Sequence, residues 1–398
     1  MSDSINATGV LSGLRVLDFG RYVAGPYCAA LLADLGAEVI RIERPEGAED
    51  RAMTPLAPDA GAMYLAVNRN KKSLTLNPKS ELGKEILRRL LITADVVIAN
   101  LPPKALKSLG IDFATLQLIN RRAILTTVSA FGPGPWQEKP GFDGLGQAMS
   151  GVASLTGIDD QPTRAGVSWV DYGTATMAAM GTLAALMRRE KTGLGEHVQC
   201  SLLHTALAFN NPALIEQDVL RNDRVPTLNR SHLAAPSDIF RTSDGWVMLY
   251  AVGDAMFRRW AKMIGEESVW LSDPRFKDDQ SRGQNSLVIS ERMSQWTANR
   301  NSAEVLDLAE SAGLPAAPVY STRQVLDDSE LLRACRAESL HYGSMQETFV
   351  TVPLPVTTRA ASTKLISPPL LGEHTAQIMK DLGFTPESTS EAQTAGAI

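Results

Sequence analysis

Asp171 stands in the run Gly166-Val167-Ser168-Trp169-Val170-Asp171-Tyr172-Gly173, directly before the small-residue stretch Thr174-Ala175-Thr176-Met177-Ala178-Ala179-Met180-Gly181. An ionised aspartate in such a place can attack a thioester carbonyl and form a mixed anhydride. It needs backbone N–H groups for the oxyanion and small neighbours that let the acyl group approach. That is acyl-transfer chemistry without serine, histidine or metal. A second reading competes with it: Asp is a favoured N-cap, and a carboxylate at the start of a long helix can do no more than hold that helix's first amides.

The rest of the chain removes other chemistries. The five histidines, His197, His204, His232, His341 and His374, form no close pair with one another or with cysteine, so neither a zinc site nor a Cys-His dyad is expected. There is no Gly-x-Ser-x-Gly elbow. Net charge is −5, and no Lys/Arg run is longer than a few residues, which disfavours a nucleic-acid surface. Cys28, Cys200 and Cys335 lack paired spacing and sit in apolar or mixed segments, as buried thiols in a reducing, cytoplasmic protein would. The polar N-terminus and the short apolar runs speak against secretion and membrane insertion.

Candidate binding residues come from strand ends. The turn Asp18-Phe19-Gly20-Arg21-Tyr22-Val23-Ala24-Gly25-Pro26 lacks the Gly-x-Gly-x-x-Gly spacing of a dinucleotide site. Arg44, after Glu43, is placed to hold a nucleotide phosphate or to be an ordinary surface charge. Asn68 through Leu76 gathers Arg69, Lys71 and Lys72, which suits either a phosphate-lined edge or a solvated turn. Asn100 ends a strand where open parallel sheets bind ligands, and is equally a turn-forming Asn.

These residues require positioning elements. Strands are expected at Arg15–Phe19, Glu38–Glu43, Asp95–Ala99 and Ala123–Ser129, alternating with helices at Gly25–Leu35, Glu81–Ile92 and Phe113–Ile119, which implies a parallel sheet. Long helices follow at Tyr172–Arg189 and Leu202–Leu220. After a polar stretch at residues 221–235, a hairpin (Asp238–Thr242 and Trp246–Val252), helices at Asp254–Ile264, Ser286–Thr297 and Ala303–Ala312, and a strand at Ala316–Tyr320 make a smaller α+β unit. Beyond Asp327 the pattern is irregular, a last helix opens at Gly372, and the tail from Thr385 is polar enough to fray. At 398 residues and 44% hydrophobic content, two domains are expected: residues 1–222, then 223–327, with 328–398 returning to the first.

Taken together, Leu14-Arg15-Val16-Leu17-Asp18, Ala24-Gly25-Pro26, Leu32 through Arg44, Gly141-Phe142-Asp143 through Gln147-Ala148-Met149-Ser150-Gly151, Asp171, Lys191 through Glu196, Ser243-Asp244-Gly245-Trp246 and Gly372-Glu373-His374-Thr375 resemble the class III CoA-transferases, the CaiB/BaiF family. The resemblance is ordered and nearly full length. It implies an α/β fold with a Rossmann-like large domain, a smaller inserted domain and an interlocked homodimer. It implies Asp171 as the catalytic residue, coenzyme A and acyl-CoA as substrates with no tightly bound cofactor, and a CoA site lined by Val23, Ala24, Arg44, Leu76, Lys79, Asn100, Leu101, Phe142 and Asp143. Three departures stand out. Lys107-Ser108 replaces a basic phosphate contact after Ala105-Leu106, and Ala251-Val252-Gly253-Asp254-Ala255 stands where formyl-CoA:oxalate transferases carry a run of glycines. Phe142 occupies the position of a histidine in the related α-methylacyl-CoA racemases, and Phe cannot accept a proton. The expected activity is therefore transfer of CoA from an acyl-CoA to a free carboxylic acid. An α-carbon isomerase and a non-catalytic acyl-CoA-binding protein are the alternatives.

Overall fold

A computed structural model describes residues 9–57, 60–158, 160–343, 345–356 and 364–398. Contacts divide the chain into two units. One comprises Met1–Val152, Ala165–Arg221 and Arg333–Ile398, the other Ala153–Arg164 and Asn222–Leu332.

The first unit is built on six parallel strands, β1 (Arg15–Asp18), β2 (Glu38–Glu43), β3 (Lys71–Thr75), β4 (Val96–Ala99), β5 (Ile124–Ser129) and β6 (His197–Ser201), in the order β6-β5-β4-β1-β2-β3. Successive residues point to opposite faces. Of the helices that cover the sheet, four position the site: α1 (Ala24–Asp34), α2 (Asp143–Met149), α3 (Trp169–Thr192) and α4 (Leu202–Phe209). Val16, Val39, Val96 and Ile98 join one core with α1 and α3, while Leu17, Ile40, Val97 and Ala99 join a second core under the helix Glu81–Thr93. Both faces being covered, Val96-Val97-Ile98-Ala99 is buried throughout and shows no polar alternation.

Strand β3 is a correction to the phosphate-edge and solvated-turn readings of residues 68–76. Its charges belong to the sheet. Lys71 Nζ is fully buried and donates to Asp18 Oδ2 at 2.7 Å, to the Pro26 carbonyl at 2.7 Å and to Asn68 Oδ1 at 2.8 Å. Arg69 pairs with buried Asp34 at 2.6 Å, and Lys72 with Glu38 at 2.6 Å. A buried ammonium survives only with such a full set of acceptors.

The long helix expected from Leu202 to Leu220 is two helices, α4 and Asn211–Leu220, because Pro212 opens the second and has no N–H to continue the first. The C-terminus does not fray. A helix at Pro386–Thr394 is capped by the Thr385 side chain on Ser388 N and buries Ala392 in the second core. Residues 366–375 run along the outer edge of β3: Asn70 N donates to the Ile366 carbonyl at 3.0 Å, Gly372 N to Ser73 Oγ at 3.0 Å and His374 N to the Ser73 carbonyl at 3.0 Å. Cys335 is exposed, against the expectation of three buried thiols; Cys28 is buried and Cys200 half-buried.

In the second unit, antiparallel strands Ser237–Arg241, Trp246–Tyr250 and Ala316–Pro318 pack with helices that include Gly253–Met263, Ser286–Thr297 and Ser302–Ser311 around Phe240, Phe257, Trp260 and Trp270. Among the described residues, no helix is long and apolar enough to cross a membrane.

Candidate active site

Strand order reverses between β1 and β4, so the loops leaving their C-terminal ends diverge and open a crevice. The β1–α1 turn borders it, and side chains hold three successive amides of that turn. Gly20 N donates to Asp18 Oδ1 at 2.8 Å, Arg21 N to Asn100 Oδ1 at 2.8 Å, and Tyr22 N to Asp50 Oδ2 at 2.7 Å. Asn100 Nδ2 returns a bond to the Arg21 carbonyl at 2.7 Å, closing a two-point clamp across the crevice. Asp18 and Asp50 are themselves fixed by Lys71 and by buried Arg41, each at 2.7 Å. A glycine-rich dinucleotide loop leaves such amides free for pyrophosphate. Here they are occupied. Glu43, which could meet a ribose, is instead buried against Arg51 at 2.6 Å.

Helix α3 begins at Trp169, three residues earlier than expected, so Asp171 is its third residue and the capping reading does not hold. Ser168, at the cap position, makes no side-chain bond to the helix amides. The cap is supplied from α2: buried Asp143 accepts from Val170 N at 2.8 Å and Asp171 N at 3.2 Å through Oδ1. The half-buried Asp171 carboxylate has no hydrogen-bond or ion-pair partner among the described residues. Burial first, and the neighbouring Asp143 charge second, push its pKa up to about 7, outweighing the favourable helix N-terminus. Part of the small-residue run after it is core packing. Ala175, Ala178 and Ala179 are buried against Ala24, Cys28 and Ala29 of α1, and a Cβ on Gly173 would meet the Phe209 ring at 2.7 Å.

Asp171 lines a cavity of about 290 Å³ together with Val23, Ala24, Asn100, Leu101 and Phe142. At its wall Tyr22, held in the left-handed region at φ 61°, meets the Phe142 ring edge-on with centroids 5.6 Å apart. A smaller cavity of about 80 Å³ shares Leu101 and is lined by Arg21, Arg44, Leu76 and Pro78. Of the ten residues singled out from sequence, eight therefore line two cavities with a common wall. Lys79 is exposed just beyond Pro78, and Asp143 lies behind Asp171, not on a cavity wall. Arg44 is exposed, 3.5 Å from Glu49. Sequence reasoning passes over Ser129 and the segment Gln137–Gly141, which also line the larger cavity. The rule that selects Asn100, position at a strand's C-terminal end, would also find Ser129 at the end of β5. A wider depression of about 680 Å³ in the second unit is shallow, and its lining from Lys262 to Ser272 presents no comparable unpaired buried carboxylate. Chemistry, not volume, selects the site.

Residues 11–375 match the family model described as CoA-transferase family III. The chain is 32% identical over 389 residues to the succinyl-CoA–D-citramalate CoA-transferase of Chloroflexus aurantiacus, with 96% of each chain covered. It is 32% identical over 400 residues to the succinate–glutarate CoA-transferase of Agrobacterium fabrum, covering 96% of this chain and 98% of that one. Among solved structures, a CaiB/BaiF family protein from Brucella suis superposes with a TM-score of 0.80 at 28% identity, covering 94% of this chain and 100% of that one.

Proposed function

The chain belongs to CoA-transferase family III and is a CoA-transferase, and we propose that Asp171 carries the transfer covalently, with CoA held along the two cavities at the C-terminal edge of the sheet. The observation that carries this reading is the half-buried Asp171 carboxylate, without a hydrogen-bond or ion-pair partner among the described residues, facing a cavity at the topological switch point.

In this reading the Asp171 carboxylate attacks the donor thioester carbonyl and the C–S bond breaks, giving an aspartyl–acyl anhydride and CoA thiolate. The thiolate attacks the aspartyl carbonyl, releases the donor's carboxylate and leaves an aspartyl–CoA thioester. The incoming acid's carboxylate then attacks that thioester, and the returning thiolate takes the new acyl group, which regenerates Asp171. A pKa near 7 serves this cycle: the carboxylate is more basic than an ordinary aspartate, hence a stronger nucleophile, yet remains substantially ionised at neutral pH. Backbone amides near the cavity would hold each oxyanion. Val23, Ala24, Asn100, Leu101 and Phe142 would contact the pantetheine arm, with Arg44, Leu76 and Lys79 toward the nucleotide end. Because the turn amides are occupied, phosphate recognition falls to side chains such as Arg44. Phe142, 61% exposed on the cavity wall, offers no second base, which disfavours α-carbon isomerisation.

The acids exchanged are small dicarboxylates, with succinyl-CoA as donor, by likeness to relatives named for succinyl-CoA, D-citramalate, succinate and glutarate. The active form is a homodimer, consistent with the exposed Ile215, Val219 and Leu220 on the helix Asn211–Leu220, which a second chain would cover. The test is intact-protein mass spectrometry after mixing with succinyl-CoA, with hydroxylamine or borohydride to trap the intermediate. An adduct mapped to Asp171 is expected. Turnover with Asp171 unmodified, or α-proton exchange without transfer, would overturn the reading.

A further inference from the structure

We infer that Gln147 is a positioning residue for the transfer reaction, acting through Asp143 and Ala165 as a latch that fixes the segment delivering Asp171 to the cavity. The inference rests on the assignment of Asp171 as nucleophile and deepens it.

Asp143 and Gln147 lie one turn apart on α2, and both are buried, Gln147 completely. Two buried polar side chains are tolerated only when their bonds are made. Outside the pair, the bonds that these two side chains make among the described residues all go to one stretch, residues 165–171. Gln147 Oε1 accepts from Ala165 N at 2.8 Å; its Nε2 donates to Asp143 Oδ2 and reaches the Val167 carbonyl at 3.5 Å. Asp143 Oδ1 takes the amides of Val170 and Asp171. The amide orientation is dictated by the network, because an N–H must find an oxygen at Ala165 and a carboxylate must find a donor at Asp143. The residues between Ala165 and α3 are weakly held by their own side chains. Val167 is 64% exposed, Gly166 has open space where a side chain would be, and Ser168 caps nothing. Gln147 thus ties the Ala165 amide and the Val167 carbonyl to α2, and the first turn of α3 is held by Asp143, whose second oxygen Gln147 engages.

Gln147 reaches neither cavity and touches no reacting atom, so its loss should lower kcat without a matching change in KM. A misplacement of about 1 Å in a reacting group costs on the order of 100-fold. On α2 and the first turn of α3 the ionisable groups are Asp143, Asp171 and Tyr172; α4 adds the exposed His204, Arg164 directly precedes Ala165, and the charges Arg188 to Lys191 lie at the far end of α3.

The experiment compares wild type, Gln147→Leu and Gln147→Glu in the full-length protein, reading steady-state transfer from succinyl-CoA against pH and the rate of Asp171 adduct formation. Gln147→Leu is expected to lose about 10- to 100-fold in kcat, with KM for the acyl-CoA within about twofold and an unchanged circular dichroism spectrum. Gln147→Glu is the sharper probe, and does not depend on the first variant folding. Its protonated carboxyl group is a neutral isostere that can still accept from Ala165 and donate to Asp143. Ionised, it places a second carboxylate against Asp143. Activity should therefore approach wild type at low pH and fall at high pH, turning a rising profile into a bell. A uniform loss at every pH in both variants, or wild-type kcat in Gln147→Leu, overturns the latch while a wild-type adduct at Asp171 leaves the nucleophile standing. If wild type forms no adduct at Asp171, both readings fall together.

Discussion

The β1–α1 turn and the 165–171 segment each lead the chain into a helix at this site, and buried carboxylates hold the amides of both, yet the surroundings of those carboxylates are opposite. In the first, Asp18 and Asp50 each face a buried cation at 2.7 Å and each also accepts a backbone amide. In the second, Asp143 accepts backbone amides and a side-chain amide but meets no cation among the described residues, and Asp171 has no side-chain partner there at all. Pairing makes a carboxylate part of the scaffold. Withholding a partner leaves one available for reaction, at a cost in stability to the folded state.

Substitutions should separate the two kinds. Asp171→Asn should lose about 10⁴-fold or more in turnover while folding and binding CoA; near-normal turnover would remove the contrast altogether. Lys71→Met should do the reverse, leaving Asp18 buried and unpaired at a cost of about 3–5 kcal/mol, read as a lower urea midpoint, while the protein that remains folded still forms the Asp171 adduct.

A third effect is smaller and has a definite sign. With a folded pKa raised from 3.8 to about 7, Asp171 keeps a proton in the folded chain that the unfolded chain has released across that window. Its contribution to stability is therefore fullest at low pH and is lost as pH rises toward and through 7. Asp171→Asn should raise stability at pH 8 by about 1–3 kcal/mol, after allowance for solvent screening of a half-buried group, and the gain should vanish near pH 4. In the wild type, the same ionisation should make kcat/KM climb with pH until about 7. A stability difference between the two proteins that does not change with pH would mean that Asp171 is not the unpaired group described here. Smallest of all, Arg44→Ala should raise the KM for acyl-CoA roughly fivefold, the worth of about 1 kcal/mol for a charge-assisted contact at an exposed position, measured most clearly at low salt.

Those parts of the fold whose signals are local are legible in the sequence. Glu38–Glu43 and Ser286–Thr297 are found at the expected residues, because period and flanking residues specify them without help from afar. Strand β3 is hidden because Lys71 and Lys72 look like surface charges until Asp18 and Glu38, 53 and 34 residues away, are brought beside them. The C-terminal helix is hidden likewise: its sequence is polar, and its burial rests on Ala392 joining a core made elsewhere. At the site, Asn100 is legible from strand position alone. The small residues after Asp171 are visible but ambiguous, since helix packing and substrate access call for the same residue types. Family resemblance points to Asp143 as a CoA contact, whereas its position beneath α3 depends on bonds that only the folded chain forms.

The strap of residues 366–375 along β3 has a consequence for the chain's birth. Strand β3 is one edge strand of the sheet, and His374, whose ring and backbone both bond Ser73, lies 301 residues later. At ordinary synthesis rates of about 5–20 residues per second, that edge stays uncovered for roughly 15–60 s after it emerges. During that interval the Asn70 amide and the Ser73 carbonyl, which the strap later occupies, stand open to pairing with another strand.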